Sequence, residues 1–358
     1  MTQTTFTPTT EDELSDIIAS ASGPFDIVGG STRHTPAGHQ RLSTAGLSGV
    51  RLYEPGALTL VAGAGTTMAE INALLADNGQ RLPFEPMDHR AVLGTTGEPT
   101  LGGMIALNHC GPRRVQAGSA RDMLLGLRFV DGSGRIVKNG GRVMKNVTGY
   151  DIARLHCGAR GKLGVMTEIS LKVLPLPERT ATMALAEQSP IAAVAGLSKA
   201  LGSPFEVNGA AWHQDRILLR IEGFNDSVSY RADQLSRLLP GLTLVDENPW
   251  DDLRDARFAA TTDRDIWRVS LRASNGAKAA ERLMGMGVDV TLDWGGALLW
   301  ASTDNGFDLR SALGGLHGHA TRLRGAGDAP ALEPAADGVA QLTTALQKAY
   351  DPRGLFNG

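Results

Sequence analysis

Residues 99–114, "PTLGGMIALNHCGPRR", set Gly102, Gly103 and Gly111 around a short apolar run and end in the pair Arg113 and Arg114. Glycine lets backbone N–H groups close on an anion, and a guanidinium fork matches a carboxylate. A second stretch of this kind, "VGGSTRH" at 28–34, adds the hydroxyls of Ser31 and Thr32 to its N–H groups and is followed by no amphipathic helix. The two loops are expected to act as nests that clamp one diphosphate from both sides. "VAGAGTTM" delivers Gly63 and Gly65 to a helix start, with Glu85 about twenty residues on, which is half of a nicotinamide-dinucleotide fingerprint. Met68 replaces its third glycine and Glu85 lies between Pro83 and Pro86. A tight strand-to-helix turn is therefore the preferred reading, with a nicotinamide dehydrogenase as the weaker one. His317 and His319 are spaced to share one face of a strand, as a base or metal pair requires, but no longer ligand run accompanies them and no metal is expected.

These residues need elements to hold them. Thr10 and Glu13 have capping-box spacing before "ELSDIIASAS", which predicts a helix. "FDIV" and "LTLVAGAG" read as strands, and Met68, Ile71, Leu74 and Leu75 recur at helical spacing up to Gly79. A hairpin is expected around Asp131 to Gly134, and the prolines after "LGVMTEISLKV" place a domain boundary near 175–180. Beyond it the order strand, helix, strand, strand, helix, strand occurs twice, which predicts two split-βαβ units sharing one antiparallel sheet with helices on one face. Helical patterns fall at 190–201 and 227–239, and the first hairpin pivots on Gln214 and Asp215. The five tryptophans of this half fit either a core or a subunit contact on the helix-free face.

Composition narrows the function. The chain has 358 residues, 42% hydrophobic and 20% charged, with a formal charge of −3, so it is an ordinary globular sequence without the basic footprint of a nucleic-acid binder. Cys110 and Cys157 are its two cysteines, which excludes a disulfide framework and a cysteine zinc site within the chain. Neither a leader pattern nor a long apolar span is expected, which predicts a cytoplasmic protein without direct membrane insertion.

In order along the chain stand "VGGST", "PTLGG", "GPRR", "GSARD", "GGRVMKNVTGYD", "GKLGVMTEISLKVLP", "LDWGGALLW", "GHATR" and "DPRGLFNG". This set resembles the FAD-binding fold of the vanillyl-alcohol-oxidase type and, more narrowly, the FAD-binding subunit of bacterial glycolate oxidase. The resemblance implies an α+β fold. Its expected parts are a two-subdomain FAD-binding domain over 1–175, a cap of two split-βαβ (ferredoxin-like) units over 176–325, and a segment 326–358 returning to the first domain. It implies noncovalent FAD, although His34, His109, Cys110 and Cys157 are types that anchor flavins in this fold. The pyrophosphate would meet Val28, Gly29, Gly30, Ser31, Thr32, Thr100, Leu101, Gly102 and Gly103. Gly111, Ala117, Gly118 and Ser119 would line the flavin and ribityl chain, and Pro86 and Asp122 would also contact the cofactor. Gly161, Gly164 and Val165 would meet the adenosine, and Asn357 would return to the flavin.

The implied reaction is oxidation of a small 2-hydroxy acid, glycolate foremost, by hydride transfer to flavin. Arg113 and Arg114 are candidates for the substrate carboxylate; pairing with acids at a subunit contact is the alternative. Tyr150 and Lys145 lie in a loop near the flavin, and His319 is a candidate flavin-side residue. Electrons would leave through partners, a second flavoprotein subunit and an iron–sulfur subunit, since two cysteines cannot hold such a cluster. The complex would sit in the cytoplasm or at the inner membrane through those partners. A noncatalytic assembly subunit with the same fold is the rival reading.

Overall fold

The computed structural model describes residues 5–33, 38–142, 149–260, 263–325 and 330–356. In the first half, Thr10 caps the helix Glu11–Ala19 by accepting from the Glu13 N–H. The reciprocal half of the expected box goes elsewhere: the Glu13 carboxylate accepts from the N–H and hydroxyl of Thr9. Leu14 and Ile18 bury one face of this helix beside a small parallel sheet ordered Thr5–Phe6, Gln40–Ser43, Phe25–Val28. Leu355 and Phe356 enter the same core, and the Leu355 carbonyl accepts from the Phe25 N–H at 2.8 Å. The Asp351 carboxylate fixes that turn by accepting from the N–H groups of Leu355 and Phe356 at 2.9 and 2.7 Å.

A second sheet is antiparallel, ordered Val50–Glu54, Thr59–Gly63, Val165–Lys172, Leu124–Val130, Ile136–Gly140. Asp131 makes the hairpin between its last two strands by accepting from the N–H groups of Ser133 and Arg135. The helix Met68–Asp77 follows Thr59–Gly63 and packs Met68, Ile71 and Leu75 into the core. Because Thr59–Gly63 runs antiparallel to both neighbours, this strand–turn–helix unit is no Rossmann half. A Cβ on Gly63 or Gly65 would stand 2.2 or 2.1 Å from the carbonyl oxygen of Leu47 or Thr44, so these glycines serve close packing rather than a ligand.

In the second half, eight antiparallel strands form one sheet, ordered Thr243–Val245, Arg179–Ala186, Arg216–Gly223, Gly209–His213, Asp289–Asp293, Leu298–Thr303, Asp265–Leu271, Gly318–Arg324. The helices Pro190–Leu201, Asn225–Leu238, Ala273–Met284 and Leu309–Leu313 bury their apolar faces against one side, with Trp212 and Trp267 in that core. The other side lies on the first half of the chain. There Trp294 and Trp300 pack with Met87 and Val92, and Trp250 packs with Leu218 and Leu253. All five tryptophans are therefore consumed within the chain. The helix Trp250–Asp255, between the two βαββαβ passes, was not anticipated from periodicity because its six residues complete fewer than two turns.

Candidate functional site

A cavity of about 770 Å³ opens beside the seam between the two halves, within the size range of sites for organic cofactors. Its wall includes Val28, Gly29, Gly30, Ser31, Thr32, Pro86, Thr100, Gly103 and Gly161. Two loops make the wall by pressing together. A Cβ on Gly30 would stand 1.4 Å from the Glu98 carbonyl oxygen, and one on Gly97 1.7 Å from that of Gly30. Ser31 has φ +56°, and among the described residues the N–H groups of 29–32 donate to no protein acceptor. That leaves a row of free donors on the cavity wall, the form of an anion nest. "PTLGG" is not a second nest of this kind. It is the first turn of the helix Leu101–Leu107, where the Thr100 hydroxyl accepts from Gly103 and the Leu101 and Gly102 N–H groups are taken by Thr66 and Ala64.

Other expected ligand contacts fall away from this wall. Gly111 leaves room not for a ring but for Arg254, whose Cγ would lie 2.8 Å from an added Cβ. Ser119 and Asp122 form a capping box for the helix Ala120–Met123, and Gly118 packs on the Asp122 carboxylate. Ala117 ends the short helix Arg114–Ala117, and Val165 begins a core strand, with Gly164 against Phe129. Leu101 and Gly102 are buried behind the wall, Gly102 on Ala64. His34, Lys145 and Asn357 lie outside the described residues.

The four catalytic candidates do not converge. Arg113 is buried, its guanidinium ion-paired with Glu222 and with Glu85 at 3.7 Å, while its N–H donates to Glu85 at 2.8 Å. This corrects both expectations for it: its charge is neutralised inside the chain, by acids of both halves. Arg114 stacks on the Trp294 ring at 4.6 Å, a cation–π contact away from the cavity wall. Tyr150 is 89% exposed, and among the described residues its carbonyl accepts from Asn139 and from the Ile152 N–H. His319 is exposed on the strand Gly318–Arg324 opposite Ser270, three residues before Arg322 in the cavity wall. Among the described residues no group of three His, Cys, Asp or Glu could hold a metal.

Besides the expected nest residues, the wall holds an unexpected pair, since the sequence reading treats His109 only as a flavin-anchoring type and does not single out His89. His89 and His109 are buried there with Nε2 and Nδ1 2.9 Å apart. Burial, together with Arg33 and Arg268, drives His89 down to about 3; burial and Arg268 likewise drive His109 down. Both rings are thus neutral near pH 7. Glu85, in the left-handed region at φ +48°, links the wall to the large sheet through Arg220 at 2.8 Å. Behind it, burial raises the Glu222 carboxyl, but the Arg81 hydrogen bond and the charges of Arg113 and Arg220 outweigh that and hold it at about 2. The signal for this network was a charged side chain inside each apolar strand, Glu222 in "LLRIEG" and Arg268 in "IWRVSLR".

A glycine-nest cavity roofed by an antiparallel sheet defines the class as an FAD-binding oxidoreductase of the vanillyl-alcohol-oxidase fold, and a model of the FAD binding domain matches residues 2–140. The chain belongs to the family of the glycolate oxidase subunit GlcE: it is 34% identical to that protein of Escherichia coli over 324 residues, covering 90% of this chain and 87% of the relative. It is also 42% identical to glycolate oxidase subunit GlcD of Bacillus subtilis over 84 residues, 24% of this chain and 18% of that one. A mitochondrial cytochrome D-lactate dehydrogenase of Arabidopsis thaliana shares 29% identity over 181 residues, 48% of this chain and 30% of the relative. Two solved structures share the fold across 98% of this chain. Alkyldihydroxyacetonephosphate synthase does so with TM-score 0.69, 14% identity and 76% of its own length; chitooligosaccharide oxidase does so with 0.65, 15% and 89%.

The residues fit FAD by their own chemistry: free N–H donors for an anion, a cavity of matching size, and walls of Met68, Leu75 and Met104 for apolar rings. Among the described residues no helix is long and apolar enough to cross a membrane.

Proposed function

We propose that the chain is the FAD-binding subunit of a 2-hydroxy-acid oxidase complex, with glycolate as the foremost substrate. The observation that carries this reading is the cavity walled by the 28–32 nest and the Thr100 to Gly103 turn. In it, the N–H groups of 29–32 would hold the pyrophosphate, with Thr100, Gly103, Pro86 and Gly161 on the same wall available to the rest of the cofactor. When bound, the flavin supplies a two-electron acceptor for the hydride of the substrate α-carbon. Trp294, Trp300 and Ile266 of the large sheet pack with Met87 and Val92 of the first half and hold the sheet against it. Noncovalent binding is supported at three of the candidate anchors: burial holds the Cys110 thiol protonated and pushes the Cys157 thiol to about 12, and His109 is engaged with His89.

Partners complete the reaction path. A second flavoprotein subunit and an iron–sulfur subunit take the electrons onward, because two cysteines cannot ligate a cluster. The helix Asp337–Tyr350 supports such an assembly, since none of its residues is buried and Val339, Leu342 and Leu346 form an exposed apolar stripe. The complex sits in the cytoplasm, reaching the inner membrane only through those partners.

The test is an absorption spectrum of the purified chain before and after acid precipitation. Flavin bands that move to the supernatant are expected; a protein that takes up no added FAD overturns the reading. Anaerobic glycolate then locates oxidation: bleaching of the isolated chain places it here, and bleaching only in the complex makes this an assembly subunit.

A further inference from the structure

The rings of His89 and His109 share one hydrogen bond, and the backbone fixes how they meet. Residues 85–87 pair antiparallel with 109–111 through a bridge at Pro86 and Cys110. The Gly111 N–H donates to the Glu85 carbonyl at 2.8 Å and the Met87 N–H to that of His109 at 3.2 Å. His89 leads into the short helix Arg90–Leu93, and His109 follows Asn108, which ends Leu101–Leu107 in the left-handed region at φ +53°. The two histidines are only 4% and 8% exposed, and both line the cavity. Their outer nitrogens, His89 Nδ1 and His109 Nε2, have no hydrogen-bond partner among the described residues, yet neither is fully enclosed.

In the neutral pair one proton lies in the bond between the rings, so the two ends always differ. If His89 Nε2 carries that proton, His109 is protonated at Nε2 and His89 Nδ1 is bare. If His109 Nδ1 carries it, His89 is protonated at Nδ1 and His109 Nε2 is bare. The rings therefore share a tautomer, with an N–H at one end and a lone pair at the other. A proton taken up at the bare end sends the shared proton across the 2.9 Å bond and releases the N–H proton at the far end. Two N–H bonds form and two break, and the pair is neutral before and after.

This suits a wall in which a charged imidazole is unwelcome. A lone histidine base must hold the proton it takes. Burial and the charges of Arg33, Arg268 and Arg160 oppose an imidazolium at either ring, while Asp88 favours one at His89.

We infer that His89 and His109 form a two-ring relay that carries the substrate's hydroxyl proton away without either ring storing charge. The inference rests on the proposed oxidase reading, in which loss of a hydride from the α-carbon leaves that proton to be removed. The O–H bond breaks, the proton joins the bare outer nitrogen, and the far N–H gives one to water. Once product leaves and water enters the cavity, exchange at both ends restores the starting tautomers.

Two readouts test the relay. In the full chain with 15N-labelled histidine, NMR separates protonated from bare ring nitrogens without FAD or substrate, and His89→Gln and His109→Gln assign the signals. Neutral rings with like tautomers are expected at pH 7; unlike tautomers or an imidazolium overturn the inference. In the FAD-loaded chain, stopped flow follows anaerobic bleaching by glycolate. Each single variant should slow it on the order of 10²-fold and the double variant no further, because either loss breaks the relay. In mixtures of light and heavy water the wild-type rate should follow a curve, the mark of more than one proton in flight. Thermal melts and FAD titration check that each variant folds and holds the cofactor. If one variant alone is slow, that residue is a lone base and the relay is overturned. Wild-type rates in both variants overturn it too and leave the flavoprotein reading intact. If the isolated chain is not bleached, the same variants are compared in the complex, where wild-type rates again overturn the relay. A chain that takes up no FAD overturns the oxidase reading and the relay's role with it.

Discussion

Arg113 from the first half of the chain and Glu222 from the large sheet form an ion pair in which the two side chains are only 4% and 5% exposed. Arg81 and Arg220 converge on the same carboxylate, and Arg220 also reaches Glu85 on the cavity wall. One buried acid thus fixes the sheet over the site. Glu222→Gln leaves three arginines short of a charge partner and should cost about 3–5 kcal/mol, read from the urea midpoint. The acid branch follows from the same pair. Its carboxyl lies at about 2 in the fold against 4.5 ordinarily, so its stabilisation is full above about pH 4.5 and is lost as pH falls toward 2. Glu222→Gln should flatten that part of the pH profile; an unchanged slope would assign acid unfolding to other groups.

Asp293 behaves with the opposite sign. Burial raises its carboxyl from 3.8 to about 7, so the folded state holds a proton that the unfolded chain gives up. Stability from this group is present below about pH 4 and declines as pH rises to about 7. Asp293→Asn keeps an acceptor for the Trp294 N–H and removes the titration. The variant should therefore melt higher than the wild type at pH 8 and show little gain at pH 5. Equal differences at both pH values would contradict the assignment.

Gly30 and Gly103 separate packing from ligand space. Gly30→Ala drives a Cβ into the Glu98 carbonyl, so it should lower the melting temperature and abolish FAD uptake together. A Cβ on Gly103 meets only the Thr100 hydroxyl, at 3.3 Å, on the cavity side. Gly103→Ala is expected to melt like the wild type but hold FAD at least several-fold more weakly, as measured by flavin fluorescence on release. A Gly103→Ala protein with full FAD affinity would remove this turn from the proposed cradle.

The repeated strand–helix pattern of the second half was legible because each element is long enough to show its period; Pro190–Leu201 falls where the apolar spacing put it. The 28–32 loop was legible for the same reason its glycines are needed, a backbone brought close to something. What pressed on it was not legible: Gly30 abuts Glu98, nearly seventy residues away in sequence, and Gly111 abuts Arg254. Arg113 shows the general difficulty. Its side chain suits a substrate carboxylate, and only the fold reveals that Glu222 satisfies it from more than one hundred residues on.

Trp294 joins the two halves of the chain. Its indole N–H donates to the Gly111 carbonyl at 3.0 Å across the seam, and its ring carries Arg114 on one contact and Arg268 on another. Trp294→Phe keeps an aromatic group in the cluster with Met87 and Leu298 but leaves the buried Gly111 carbonyl without this donor. The expected loss is about 1–3 kcal/mol in urea unfolding. An unchanged urea midpoint would mean that the Gly111 carbonyl is satisfied without the indole and that the seam is held by the apolar cluster alone.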